Sequence, residues 1–166
     1  MYMDKEEIKE KIEEENLIED YIHLETQLDQ NSFDLTVSRI EEYKGPGKID
    51  FSNDERQIPS KNKINPRKKN KEDDYGWWNL PKGTYFIETN EKVKLPEETL
   101  MIMHPRFTLA KSGVSVDTRI IGSEEPFKPK FTLTINNKNG FEIKENARIV
   151  KAIFLNSKDD KPGFIE

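Results

Sequence analysis

Arg106 stands immediately after Pro105, with Lys111 five residues further on. Proline keeps the preceding residue out of the helical region, so the arginine is displayed just past a fixed turn. A guanidinium there offers forked donors that match phosphate or carboxylate oxygens, and Lys111 supplies a second cation. The same residues also suit a surface or ion-paired arginine, and both readings stand at this level. Asp34 is the carboxylate of interest: Phe33, Leu35 and Val37 alternate with Asp34, Thr36 and Ser38, which places it opposite the apolar face of a strand or at a strand edge. With no cysteine in the chain, thiolate nucleophiles, disulfides and Cys-based zinc sites are excluded. His23 and His104 alone cannot supply a histidine-rich metal centre.

The elements that must position these groups are mostly strands. Asp4 followed by Glu7 predicts a helix start, since an aspartate oxygen accepts a free backbone N–H and acidic side chains favour the positive helix end. Ile8, Ile12 and Leu17 give that helix an apolar stripe that docks on its own domain, and Glu7 with Lys11 forms an i,i+4 pair. A strand pattern then begins at Gln27. Gly45-Pro-Gly predicts a turn leading to a short strand ending near Phe51. Residues 61–71 carry Lys61, Lys63, Arg67, Lys68, Lys69 and Lys71 without one acid; the run either attracts phosphate or is a mobile surface loop. Trp77 and Trp78 follow, and adjacent residues of a strand point to opposite faces, so one ring belongs to the core and the other to a contact or ligand. Apolar alternation recurs through 83–89, 99–103, 130–136, 141–143 and 147–155, with Asn137-Lys-Asn-Gly140 as the clearest hairpin turn. Short strands at this spacing predict an all-β, jelly-roll or barrel-like domain with a short N-terminal helix. We expect a single domain over 1–155 and a mobile tail over 156–166.

Composition narrows the partners. The chain of 166 residues is 33% hydrophobic and 36% charged, with a formal charge of −5. It can bury a useful core while keeping much solvated surface, to be finished against partner subunits. Its overall charge gives no reason to bind DNA or an anionic membrane, so any nucleic-acid partner needs a local patch. No apolar run approaches the ~20 residues of a spanning helix, which predicts a soluble, cytoplasmic protein.

Several segments resemble one family. Pro105-Arg106-Phe107-Thr108-Leu109-Ala110-Lys111-Ser112-Gly113 resembles the P-R-S-S-L-x-x-x-G segment of the dUTPase and dCTP deaminase superfamily. Gln27-Leu-Asp-Gln-Asn-Ser-Phe-Asp-Leu35 is similar to its first motif, and Asn146-Ala-Arg-Ile-Val-Lys-Ala-Ile-Phe154 to its G-x-R-I-A-Q-L-x-F motif. The opening helix and the Leu80-Pro-Lys-Gly and Leu95-Pro-Glu-Glu turns resemble the dCTP deaminase branch, particularly its archaeal dUTPase members.

The resemblance implies a dUTPase-type β fold, a homotrimer and hydrolysis of a deoxypyrimidine triphosphate: dUTP to dUMP and pyrophosphate, with Mg²⁺. It implies substrate contacts from Arg106, Thr108, Lys111, Arg119, Arg148 and Lys151, and a metal- and phosphate-supporting role for Asp34. Gapless alignment sets Gly122 at the family's catalytic aspartate, so the water-activating carboxylate must come from Glu124 or Glu125. The deaminase glutamate falls near Thr134. Two readings follow: a divergent dUTP diphosphatase using a displaced carboxylate, or a non-catalytic relative that keeps the fold as a nucleotide-binding, regulatory or structural protein. The nucleotide partner is deoxyuridine or deoxycytidine triphosphate.

Overall fold

The computed structural model describes residues 1–117, 119–122 and 125–156. Helix α1 (Lys5–Glu15) is followed by β1 (Ile18–Glu19), a single helical turn α2 (Leu24–Gln27), the long strand β2 (Phe33–Lys44) and β3 (Ser60–Ile64). Then come β4 (Trp77–Leu80), β5 (Gly83–Thr89), β6 (Lys92–Val93) and β7 (Thr99–Pro105). A short helix α3 (Phe107–Lys111) leads to β8 (Val114–Val116), β9 (Ile120–Ile121), β10 (Lys130–Ile135), β11 (Phe141–Lys144) and β12 (Arg148–Asn156). The order in the main sheet is β8-β10-β5-β2-β12-β7-β9, with β3 added to the far half of β2, and its pairings are antiparallel. This curled, mostly β architecture with a short helix is the one the alternation predicts. No helix among the described residues is long and apolar enough to cross a membrane.

Helix α1 begins as the sequence requires: Asp4 Oδ1 accepts the Glu7 N–H at 3.0 Å. Ile8 and Ile12 are buried against the domain, each worth about 1.5–3 kcal/mol of apolar transfer. The expected Glu7–Lys11 pair does not form. Lys11 reaches Glu15 at 3.1 Å, and Glu7 instead accepts from Asn156 Nδ2 at 2.7 Å, tying the helix to the end of β12.

Other sequence expectations are revised. The chain forms the turn α2 up to Gln27, and β2 starts only at Phe33. Both faces of β2 are buried from Phe33 to Val37, so Asp34 and Thr36 point into a second, polar interior. Residues 48–51 make no strand; among the described residues Lys48 bridges only to Gln57, and Ile49 and Phe51 are exposed. The basic run is organised, since 60–64 is a strand and Arg67 exchanges two 2.9 Å backbone bonds with Trp77. Trp78 is core and donates Nε1–H to the Ile64 carbonyl at 2.7 Å, while Trp77 is half-buried. The Asn137–Gly140 turn forms, with Gly140 N–H on the Asn137 carbonyl, but it joins strands of two different sheets: β10 pairs with β5 and β8, and β11 with β4. The tail from 157 onward lies outside the described residues.

Candidate functional site

Asp34 is 3% exposed and sits directly opposite Lys151 in the β2–β12 register. Its Oδ2 lies 3.2 Å from Arg148 Nη1 and 3.5 Å from Arg106 Nε, and its Oδ1 lies 3.5 Å from Lys151 Nζ. Three cations, from β7 and β12, therefore share one carboxylate of β2. Lys151 also donates to Asp29 Oδ2 at 2.6 Å. That bond, with the Gln30 N–H, holds the Asp29 carboxyl below its usual range. Three cations against the two carboxylates Asp29 and Asp34 leave the cluster one positive charge in excess, as an anion site needs.

A β-bulge makes this convergence possible. Arg148 and Lys151 are three residues apart, and in a regular strand an odd spacing sends side chains to opposite faces. Here Arg148 pairs with Thr36 and Val150 with Leu35, so Ile149 is an extra residue on β12. The insertion resets the alternation and turns both cations to Asp34. The Ile149 carbonyl also accepts the Arg106 N–H at 3.0 Å, which fixes the third cation at the end of β7.

Behind the cluster lies a buried polar hub. Gln27 Nε2 donates to the Asp34 carbonyl at 2.9 Å and to Glu91 Oε1 at 2.8 Å, while its Oε1 accepts from the Ile22 and His23 N–H groups. All of its amide capacity is used. Glu91, fully buried, also accepts from the Thr36 N–H at 2.9 Å and the Thr36 hydroxyl at 2.6 Å. Burial raises the Glu91 pKa despite these bonds. The hub holds α2 against the Asp34–Thr36 stretch of β2.

On the other side, Arg106, Thr108 and Arg148 line a cavity of about 230 Å³ whose walls include Trp77, Leu109 and Phe141, with Glu142 at its edge. The structure thus joins Arg106, Thr108 and Arg148 in one cavity and sets Lys151 beside Asp34. It leaves Lys111 exposed, 4.9 Å over the Phe107 ring, and Arg119 exposed, its carbonyl accepting the Met103 N–H. Glu125 is exposed between β9 and the Phe127–Val93 bridge, and Glu124 lies outside the described residues. Among the described residues no ion pair links Glu125 to the cations. Gln27, Glu91, Phe141 and Glu142 were not singled out as site residues from sequence. Trp77 carried a signal in its neighbour Trp78, but a buried Glu is legible only once its partners are placed.

The family profile described as dCTP deaminase-like matches residues 2–157. The chain belongs to the dCTP deaminase-like family. A relative from Archaeoglobus fulgidus, named "Probable deoxyuridine 5'-triphosphate nucleotidohydrolase", is 31% identical over 159 residues, 96% of this chain and 90% of the relative. A protein of the same name from Methanosarcina mazei is 33% identical over 138 residues, 83% of this chain and 77% of its own length. The crystal structure of 2'-deoxycytidine 5'-triphosphate deaminase from Agrobacterium tumefaciens shares the fold, with a TM-score of 0.67 at 11% identity over 92% of this chain. This dCTP deaminase-like chain spans about half (47%) of that longer structure.

Proposed function

We propose that the protein is a dUTP diphosphatase that hydrolyses the α–β phosphoanhydride of dUTP to give dUMP and pyrophosphate. The observation that carries the reading is the convergence of Arg106, Arg148 and Lys151 on buried Asp34 beside a cavity that joins Arg106, Thr108 and Arg148 to the Trp77, Leu109 and Phe141 side chains. The archaeal relatives named as deoxyuridine triphosphate nucleotidohydrolases support it. Arg106, Arg148 and Lys151 bind phosphate oxygens, the Thr108 hydroxyl donates to the nucleotide, and Lys111 and Arg119 add outer positive charge. Asp34 acts as a positioning residue that holds the cations in place before the ligand arrives, which lowers the cost of ordering them.

The Asp34 donor set does not fit a protein-held metal. Three cations already surround the carboxylate, and its unbonded Oδ1 faces the Lys151 ammonium at 3.5 Å. Among the described residues no group of three His, Cys, Asp or Glu is placed to hold an ion. Mg²⁺ enters this reading as the counter-ion of the triphosphate. The water-activating carboxylate is Glu124 or Glu125, delivered to the cations of a neighbouring subunit in a homotrimer. Phe107 and Ile120, 72% and 70% exposed, supply apolar surface for that assembly.

The test is direct. Purified protein is given dUTP or dCTP with Mg²⁺, and pyrophosphate and ammonia are followed separately. Pyrophosphate from dUTP, no ammonia from dCTP, and loss of release in a Glu124→Gln, Glu125→Gln double variant are expected. Unchanged release in the double variant overturns the displaced-carboxylate mechanism. Calorimetric dUTP binding without any product supports the second reading, a non-catalytic nucleotide-binding relative, in which Asp34, Asp29 and Glu142 are all committed to ion pairs.

A further inference from the structure

The cationic run of 61–71 is not used by the triphosphate site. It lines a second groove of about 950 Å³, which meets the triphosphate cavity at Trp77 and Glu142; its cations are Lys63, Arg67, Lys68 and Lys69 and its acids Glu42 and Glu142. Both acids are already neutralised: Glu42 by Lys44 at 2.8 Å and Glu142 by Lys69 at 3.2 Å. Lys63, Arg67 and Lys68 are exposed and make no ion pair among the described residues. Within a chain of formal charge −5, the groove is therefore a local concentration of uncompensated positive charge.

The groove also has an aromatic wall. Half-buried Trp77 lines it and is overlaid by the Lys69 ammonium at 4.3 Å and the Lys144 ammonium at 5.6 Å. An ammonium over an indole marks a ring face that attracts cations and planar groups alike. Lys69 and Glu142 are both about half exposed (51% and 47%), so their pair is worth little and exchanges readily. A base stacked on Trp77 would displace the Lys69 ammonium from the ring face and leave it on Glu142. Lysines on β3, which among the described residues pairs only with β2, would by themselves protect a sheet edge. Protection requires neither an aromatic wall nor a continuation of the run beyond the strand. Nor is that continuation loose: the Arg67–Trp77 bridge pins it, and a Cβ on buried Gly76 would lie 3.0 Å from Pro66 Cβ and 3.1 Å from the Arg67 backbone. A fixed line of cations beside an aromatic face is the arrangement that holds a sugar–phosphate strand while its bases stack.

From this the geometry points to a second binding site, in which the groove between β3 and β4 takes single-stranded nucleic acid, with phosphates on Lys63, Arg67 and Lys68 and a base on Trp77. The site shares Trp77 with the cavity of the proposed hydrolase, but Lys63, Arg67 and Lys68 line the groove and not that cavity, so the triple variant below tests it apart from the hydrolase reading. Its test uses fluorescence anisotropy of the full chain with a labelled oligothymidine of about 20 nucleotides, longer than the ~4–16 nucleotides such grooves cover. Saturable binding is expected, with a log–log salt slope of about −2 for three phosphate contacts. The Lys63→Gln, Arg67→Gln, Lys68→Gln triple variant should bring that slope close to zero and weaken binding at least about tenfold at ~50 mM salt. Trp77→Leu should weaken it about 5- to 150-fold, the worth of one stacked base. Melting curves confirm that each variant is folded. No anisotropy change at ~100 μM protein, or a triple variant that keeps the parental slope, overturns the site. Equal affinity for duplex, combined with indifference to Trp77→Leu, overturns its assignment to single strands.

Discussion

Asp34→Asn tests the organisation of the site, because it preserves shape while removing the charge on which three cations converge. At an effective dielectric near 20, an ion pair at the observed 3.2–3.5 Å attracts by about 5 kcal/mol before solvation is counted. Burying the carboxylate consumes much of that gain. The cations are only partly buried, with side chains 29%, 36% and 30% exposed for Arg106, Arg148 and Lys151. Once released they can turn toward water, so the loss falls below three times the cost of breaking a buried pair. We expect about 2–4 kcal/mol, since the asparagine amide also presents donors where the cations need an acceptor. For a chain of this size each kcal/mol moves Tm by about 2–4 °C, which gives a fall of roughly 5–15 °C in a circular dichroism or calorimetric melt. The difference should persist at ~1 M salt, because ions screen a buried carboxylate weakly. A fall of less than about 2 °C, or one that disappears in high salt, would refute the idea that Asp34 organises the cations from within.

Arg106→Ala should weaken dUTP binding by about 1.5–3 kcal/mol in calorimetry, the worth of a charge-assisted hydrogen bond; equal affinities would move the phosphate site elsewhere. Glu91 has a pKa raised by burial above the ordinary glutamate value of 4.5, so the native state holds its proton longer than the unfolded chain does. Its contribution to stability therefore falls as pH rises from about the ordinary value through the raised one. Subtracting the melting profile of Glu91→Gln from that of the parent should isolate this decline, and a flat difference would contradict it. Gly140 has φ 82°, and a Cβ there would lie 2.7 Å from the Leu80 carbonyl oxygen. Gly140→Ala should cost about 1–3 kcal/mol in chemical denaturation, from a left-handed backbone compounded by the clash; a stability change within error would show that the turn can shift at no cost.

Elements whose signals are local were legible along the chain. The Asp4 cap, the Ile8 and Ile12 stripe and the alternation of the later strands need only neighbours along the chain, and each reappears in the fold. The motifs around Asp34, Arg106 and Arg148 were also legible, because residue types and order survive without coordinates. Partnerships were not. The second buried face of β2 depends on Gln27 and Glu91, which are 64 residues apart. The order of the basic run depends on Trp77 closing it from β4. Most of all, sequence spacing sets Arg148 and Lys151 on opposite faces of a strand. One extra residue, Ile149, turns them to the same carboxylate. A bulge is a mismatch of register between two strands, and β12 acquires its mismatch only when laid against β2, so no pattern within residues 148–156 could reveal it.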